Sequence, residues 1–95
     1  MKEVRFEWDE AKNRANRRKH KVSFEEAQTV FLDESAVRFF DPDHSADEDR
    51  FLLGISFRLR VLVVCHCFRV SDSVIRIISA RKADRTEETD YWNAR

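Results

Sequence analysis

The chain opens on alternation. From Lys2 to Trp8 the apolar residues Val4, Phe6 and Trp8 are interleaved with Glu3, Arg5 and Glu7, the period of a half-buried strand. Asp9 then caps a helix that runs to about His20. Its apolar stripe is thin, Ala11 and Ala15 with Trp8 behind them, so this helix is expected to face mostly solvent. Ser23 with Glu26 spells a capping box, and Val22 with Ala27 a hydrophobic staple. The second helix therefore carries Phe24, Ala27, Val30 and Phe31 and ends near Asp33. Lys21 sits between the two helices, where a Gly would turn the chain more easily. Ala36 to Phe40 reads as a strand stopped by Pro42, within an acidic loop from Asp41 to Asp49.

The second half is richer in β-branched and aromatic residues. Arg50 to Phe57, Val61 to Arg69, and the run from Val74 to Ala83 are each of strand length. A tight turn near Arg58-Leu59 and a polar break at Ser71-Asp72-Ser73 separate them, which predicts a three-stranded antiparallel meander. Pairing Phe57 with Arg60 and Arg69 with Val74 assigns the faces. One face carries Phe51, Leu53, Ile55, Leu62, Val64, Phe68, Ile75 and Ile77, with His66 among them, and is expected to pack on the helices. The other carries Arg50, Cys67 and Arg76 in one row across the three strands. Asp84 caps a last helix with Glu87 at the box position; Ala83, Glu87, Tyr91 and Ala94 share a side and Trp92 lies off it. The order strand, helix, helix, four strands, helix predicts an α+β fold in a single domain spanning residues 1–95, with helices against one face of the sheet.

Composition narrows the class. Ninety-five residues, 42% of them hydrophobic with eight Phe and two Trp, suffice for one modest core. One Gly and one Pro argue against a linker or disordered chain. No apolar run approaches the roughly 18 residues of a membrane helix, and a cytoplasmic location is expected. Net charge is zero, yet the charges segregate. Lys12, Arg14, Arg17, Arg18, Lys19 and Lys21 form a basic run, and Asp41, Asp43, Asp47, Glu48 and Asp49 an acidic one. From Arg50 to Arg85 eight cations face two acids, Asp72 and Asp84. Such patches suit a polyanion or an acidic partner, or are simply solvated. The row Arg50, Cys67, Arg76 has the same two readings: acids elsewhere neutralise it, or it is built to hold an anion.

Candidate chemistry is sparse. Cys65 and Cys67 flank His66, but in a strand the His points to the opposite side, and no second Cys pair completes a zinc site. Two buried or half-buried thiols, no metal, no cofactor and no disulfide are expected. There is no Gly-rich phosphate loop, no Ser/His/Asp set and no two-carboxylate signature. What remains is the helix start at Asp84 beside Arg81 and Lys82, close to the arginine-bearing strands, a place for a phosphate, weakened by the Asp84 carboxylate that caps the same amides.

Longer stretches resemble a known family. Phe6-x-Trp8-Asp9-x-x-Lys12 and Asn16-x-x-Lys19-His20-x-Val22-Ser23-Phe24-x-x-Ala27 look like the opening of BrnT-type toxins. Arg50, Gly54, Arg60, Val63-Val64-x-His66-x-x-Arg69, the run Arg76-Ile77-Ile78-Ser79-Ala80-Arg81-Lys82-Ala83, then Glu87 and Tyr91 continue the pattern in order. Lys21 departs from it, standing where the family usually has Gly. The resemblance implies a RelE-like fold: an antiparallel sheet with the two N-terminal helices on one face, plus a C-terminal helix. It implies a type II toxin, a small ribonuclease that cuts RNA without metal through the 2′-hydroxyl and arrests translation. It also implies a ribbon-helix-helix, BrnA-like antitoxin that neutralises the toxin in a heterotetramer built on the antitoxin dimer, with operator DNA bound through the antitoxin. Arg69, Arg76 and Arg81 are the candidates for stabilising phosphorane charge. His66 or Glu87 would handle protons and Tyr91 would donate or stack. Lys12, Lys19 and Arg50 are candidate RNA contacts. The alternative from another class is a non-catalytic domain whose arginine face docks an acidic or DNA-binding partner.

Overall fold

The computed structural model describes residues 4–39 and 49–94. The expected strand start at Lys2, the strand end at Phe40, Pro42 and nearly all of the acidic loop lie outside the described residues. The elements are β1 (Arg5–Glu7), α1 (Glu10–His20), α2 (Phe24–Gln28), a 3-10 turn (Thr29–Leu32), β2 (Val37–Phe39), β3 (Arg50–Ile55), β4 (Val61–Arg69), β5 (Val74–Lys82) and α3 (Arg85–Asn93). One five-stranded sheet runs β1-β5-β4-β3-β2. The meander and β2 are antiparallel; β1 alone joins in parallel, at the β5 edge, because the two N-terminal helices carry the chain across one face before the meander begins.

The helix ends follow the local chemistry. The Asp9 carboxylate accepts from the Ala11 and Lys12 amides at 2.8 and 3.3 Å, and Lys21 takes the left-handed conformation (φ 60°) that closes α1. Ser23 Oγ accepts from the Glu26 amide at 3.0 Å, and Asp84 with Glu87 forms a full capping box. The box at Ser23 is only half made, because the Glu26 side chain turns inward instead of back to the cap. It meets Arg60 and, at 2.7 Å, Ser56 Oγ.

The thin stripe expected to seat α1 is not what holds it. Ala11 and Ala15 are exposed, and the buried positions are Asn13 and Asn16. Asn16 Nδ2 donates to the carbonyls of Val22 and Ala80, both at 2.8 Å, and its Oδ1 accepts from the Ala80 amide at 3.2 Å. β1 pairs with β5 only as far as Arg76, so further along β5 the edge is open and this one side-chain amide takes the place of a neighbouring strand. Asn13 Oδ1 accepts from the Phe24 amide at 2.9 Å and fixes the start of α2.

The meander differs from expectation by one residue on β3. Ile55 lies opposite Val61 and Arg50 opposite His66, so every β3 side chain is on the other face relative to β4. The reason is the turn. Ser56 and Arg60 close it (Ser56 N to Arg60 O, 2.9 Å), leaving a three-residue loop with Leu59 left-handed at φ 63°. No Gly marks that position. Phe51, Leu52 and Leu53 are all buried, because helices cover both faces there and no alternation remains to be read. Leu52, not Phe51 or Leu53, packs with Val22, Phe24, Ala27, Val30, Leu62, Val64, Ile77 and Ala80 under the N-terminal helices. Phe51 and Leu53 lie on the opposite face with Val61, Val63, Cys65 and Tyr91 of α3. Gly54 faces the N-terminal helices; a Cβ there would sit 2.8 Å from Val30 and 3.0 Å from Ala36, so only Gly admits the 3-10 turn at this distance.

The hairpin between β4 and β5 has the expected Arg69–Val74 closure. Four residues further along, a β-bulge between Cys65 and His66 sets the remaining pairs off by one. Arg81 thereby comes opposite Val63, on the α3 face, whereas unbroken alternation from Ile75 and Ile77 would put it on the N-terminal-helix face.

Candidate active site on the open face of the sheet

α3 covers only part of its face. Beyond it, toward the β1 edge, the face is polar and built by three strands. Glu7 of β1 is the register partner of Arg76 on β5, and Arg76 pairs with Cys67 on β4, two residues before Arg69. Arg76 Nη1 donates to Glu7 Oε2 at 2.9 Å, and Arg69 Nε lies 3.7 Å from the same oxygen. The three side chains stay accessible, at 42% for Glu7, 33% for Arg76 and 56% for Arg69.

Arg81 is on the same face of β5, toward α3. Its guanidinium grips Glu87 in a two-point pair, Nη1 to Oε1 at 2.8 Å and Nη2 to Oε2 at 2.9 Å. Glu87 Oε1 also accepts the Asp84 amide at 2.9 Å, so the helix cap and the ion pair share one carboxylate. Arg81 first, and the Asp84 amide after it, hold the Glu87 carboxyl below the usual carboxylate range against the opposing effect of burial.

The other residues singled out from the sequence lie elsewhere. His66 is on the face under the N-terminal helices, 2% exposed, with its ring edge-on to Phe31 and Phe68 at 4.8 and 5.5 Å between centroids. Burial, reinforced by the charges of Arg38 and Arg50, holds its pKa below 6.5. Arg50 shares that face through the β3 register, with its guanidinium carbon 5.9 Å from the Phe68 ring centre; it is not in a row with Arg76. Tyr91 is buried and donates its hydroxyl proton to Asp33 Oδ2 at 2.6 Å, an oxygen that also accepts the Ile55 amide at 2.9 Å. Lys12 and Lys19 are exposed on α1, across the sheet from the arginines. Cys65 and Cys67 are buried thiols, and among the described residues no three His, Cys, Asp or Glu side chains converge as a metal-holding group.

So the fold unites Arg69, Arg76, Arg81 and Glu87 on one face and separates them from His66, Arg50, Lys12 and Lys19. Glu7 is the member that sequence reasoning did not single out. Alternation placed it on the polar side of the first strand, but nothing local indicates that this strand joins in parallel beside a residue 69 positions away.

A small α+β domain with an accessible arginine face is a domain suited to gripping phosphate groups. Comparison with known proteins says which one. Residues 8–87 match the family described as the ribonuclease toxin, BrnT, of type II toxin–antitoxin systems. The match covers most of the chain, and the protein belongs to the BrnT family, a ribonuclease toxin whose partner is an antitoxin. The fold is similar to the 1.1 Å crystal structure of the Brucella abortus ribonuclease toxin, BrnT, with a TM-score of 0.66 and 23% identity, covering 86% of this chain and 99% of that one. A search of curated proteins finds no match. No helix among the described residues is long and apolar enough to cross a membrane.

Proposed function

We propose that the open face holds a phosphodiester of RNA and that the chain cuts it internally, without a metal ion, by passing the phosphoryl group to the adjacent 2′-oxygen. The observation that carries this reading is that Arg69, Arg76 and Arg81 share one accessible face, the first two meeting at Glu7. Guanidinium groups give two-point contacts to phosphate oxygens and stabilise the charge of a phosphorane, and removing one well-placed donor of this kind costs about 100- to 1,000-fold in rate. Arg69→Ala, Arg76→Ala and Arg81→Ala are each expected to slow RNA cleavage on that scale while circular dichroism shows an unchanged fold. Cleavage is expected to survive EDTA. Full activity in all three variants, or complete dependence on a divalent ion, would sink the mechanism.

In this reading Glu87 orients Arg81, and His66 and Tyr91 act through packing and by tying elements together. Lys12, Lys19 and Arg50 lie across the sheet from the arginines, so their RNA contacts, where made, are with other parts of a long substrate. The antitoxin is a BrnA-like ribbon-helix-helix protein, assembled with the toxin as a heterotetramer through its own dimer, and both act in the cytoplasm, where the RNA is. Co-expression followed by size exclusion checks the assembly. Arginine variants that lose cleavage but still co-elute with the antitoxin separate catalysis from mere docking.

A further inference from the structure

The arginine face contains one group that a purely electrostatic site does not need. Glu7 places a carboxylate between two guanidinium groups that are otherwise free to take phosphate. If the face only gripped an anion, this negative charge would oppose it.

The details of the pairing suggest a use. Both arginine contacts converge on Oε2, at 2.9 Å from Arg76 Nη1 and 3.7 Å from Arg69 Nε. Oε1 has no hydrogen-bond donor among the described residues, and Glu7 is 42% exposed. One oxygen is thus held in place and the other is open to solvent. Each guanidinium carries five N–H donors. Arg76 spends one on Glu7 and Arg69 approaches with one, so most of their donors remain available to an incoming phosphate. The backbone behind them is firm: Glu7 and Arg76 are register partners in the sheet, and the Arg5 amide bonds the Ser73 carbonyl at 3.0 Å where β1 begins. The other candidate bases fit the task less well. His66 is on the opposite face, and both oxygens of Glu87 are taken by Arg81.

We infer that Glu7 is the general base of the RNA cleavage, placed by Arg69 and Arg76 beside the phosphate those arginines hold. The inference rests on the site assigned under the proposed function. In the step, Glu7 Oε1 takes the proton of the 2′-hydroxyl. The 2′-oxygen forms a bond to phosphorus, the bond from phosphorus to the 5′-oxygen breaks, and that oxygen takes a proton from water. The products are a 2′,3′-cyclic phosphate and a 5′-hydroxyl, and Glu7 returns its proton to water. Arg69 and Arg76 serve twice, fixing the carboxylate and receiving the charge that grows on the phosphoryl oxygens.

The test separates a base from a screen and from a structural brace. Glu7→Gln and Glu7→Asp are compared with the unaltered toxin in cleavage of an oligoribonucleotide, and in binding of the same oligonucleotide made with 2′-fluoro sugars, which cannot be cut. Melting curves accompany both variants. General bases contribute about 100- to 10,000-fold. Glu7→Gln is expected to lose at least 100-fold in cleavage while binding the 2′-fluoro analogue as tightly as the unaltered toxin or more tightly. Glu7→Asp, which keeps the carboxylate, is expected to retain more cleavage than Glu7→Gln, and it carries the test if Glu7→Gln does not fold. Cleavage by Glu7→Gln at or above the unaltered rate would make the carboxylate a screen over the arginines and overturn the assignment. Equal losses of cleavage and analogue binding would make it a brace and overturn it too. An inactive Arg76→Ala beside a fully active Glu7→Gln defeats this inference alone; full activity in Arg69→Ala, Arg76→Ala and Arg81→Ala together defeats the placement of the site and this inference with it.

Discussion

The two faces of the sheet use the same residue types for opposite ends. Under the N-terminal helices, Glu26 and Arg60 form an ion pair in which the carboxylate is 2% exposed and the arginine 24%. Ser56 Oγ and Arg60 Nε both donate to Glu26 Oε2, at 2.7 and 3.0 Å, and Arg60 Nη2 reaches on to the Lys21 carbonyl at 3.1 Å. Burial alone would raise the Glu26 pKa; the hydrogen bonds from Arg60 and Ser56, and the charge of Arg60, prevail and hold it below 4.5. On the other face Glu7, Arg69 and Arg76 make a looser cluster with donors and an acceptor left over. A charge pair whose polar atoms are consumed by the protein ties elements together. One with capacity left over, in reach of solvent, has something to offer a ligand. Solvent access and unspent hydrogen bonds separate the two, not the identity of the residues.

The contrast is most severely tested at Arg60. Arg60→Ala strands a buried carboxylate and is expected to cost about 3–5 kcal/mol, read from urea denaturation. A loss under 1 kcal/mol would mean that water reaches Glu26 and that the two faces are not so different. Asn16→Ala comes next. It removes the amide that stands in for a strand beside Ala80 and leaves buried backbone groups unpaired, for an expected loss of about 2 kcal/mol by the same measurement.

A smaller effect follows from pH. His66 has its pKa lowered by burial, so above pH 6.5 it is neutral in both folded and unfolded chains and contributes nothing to the pH dependence. As pH falls below 6.5 the unfolded chain takes up the proton first, and stability declines. Glu26 and Glu87 act later: their stabilisation is present above pH 4.5 and is lost as pH falls through their lowered values. Denaturation midpoints measured against pH should therefore fall in two stages, and His66→Leu should abolish the first. The smallest expected effect is on the open face. Arg76→Ala should change stability by no more than about 1 kcal/mol, the usual worth of an accessible ion pair, although it cripples cleavage. A large loss of stability there would make the open cluster a structural one after all.

Much of this protein was decided by short stretches of sequence. Asp9, Ser23 and Asp84 start their helices because a cap needs only an oxygen two or three residues ahead of the amides it serves. The strands, the α+β class and the family resemblance were legible for the same reason, as was the placing of Arg69 and Arg76 together on one face, since their hairpin closes where the polar break says it should. Other features required the assembled fold. The β3 register depends on a left-handed Leu59 that no Gly announces, and on a strand buried from both sides, where alternation carries no information. Arg81 reached the open face through a bulge that sequence spacing does not reveal. Asn13 and Asn16 replaced an alanine stripe because the start of α2 and the open edge of β5, respectively, needed hydrogen bonds more than apolar contact. Glu7 met its arginines only because the first strand of the chain closed beside the last, a pairing between distant segments that tertiary structure alone could bring about.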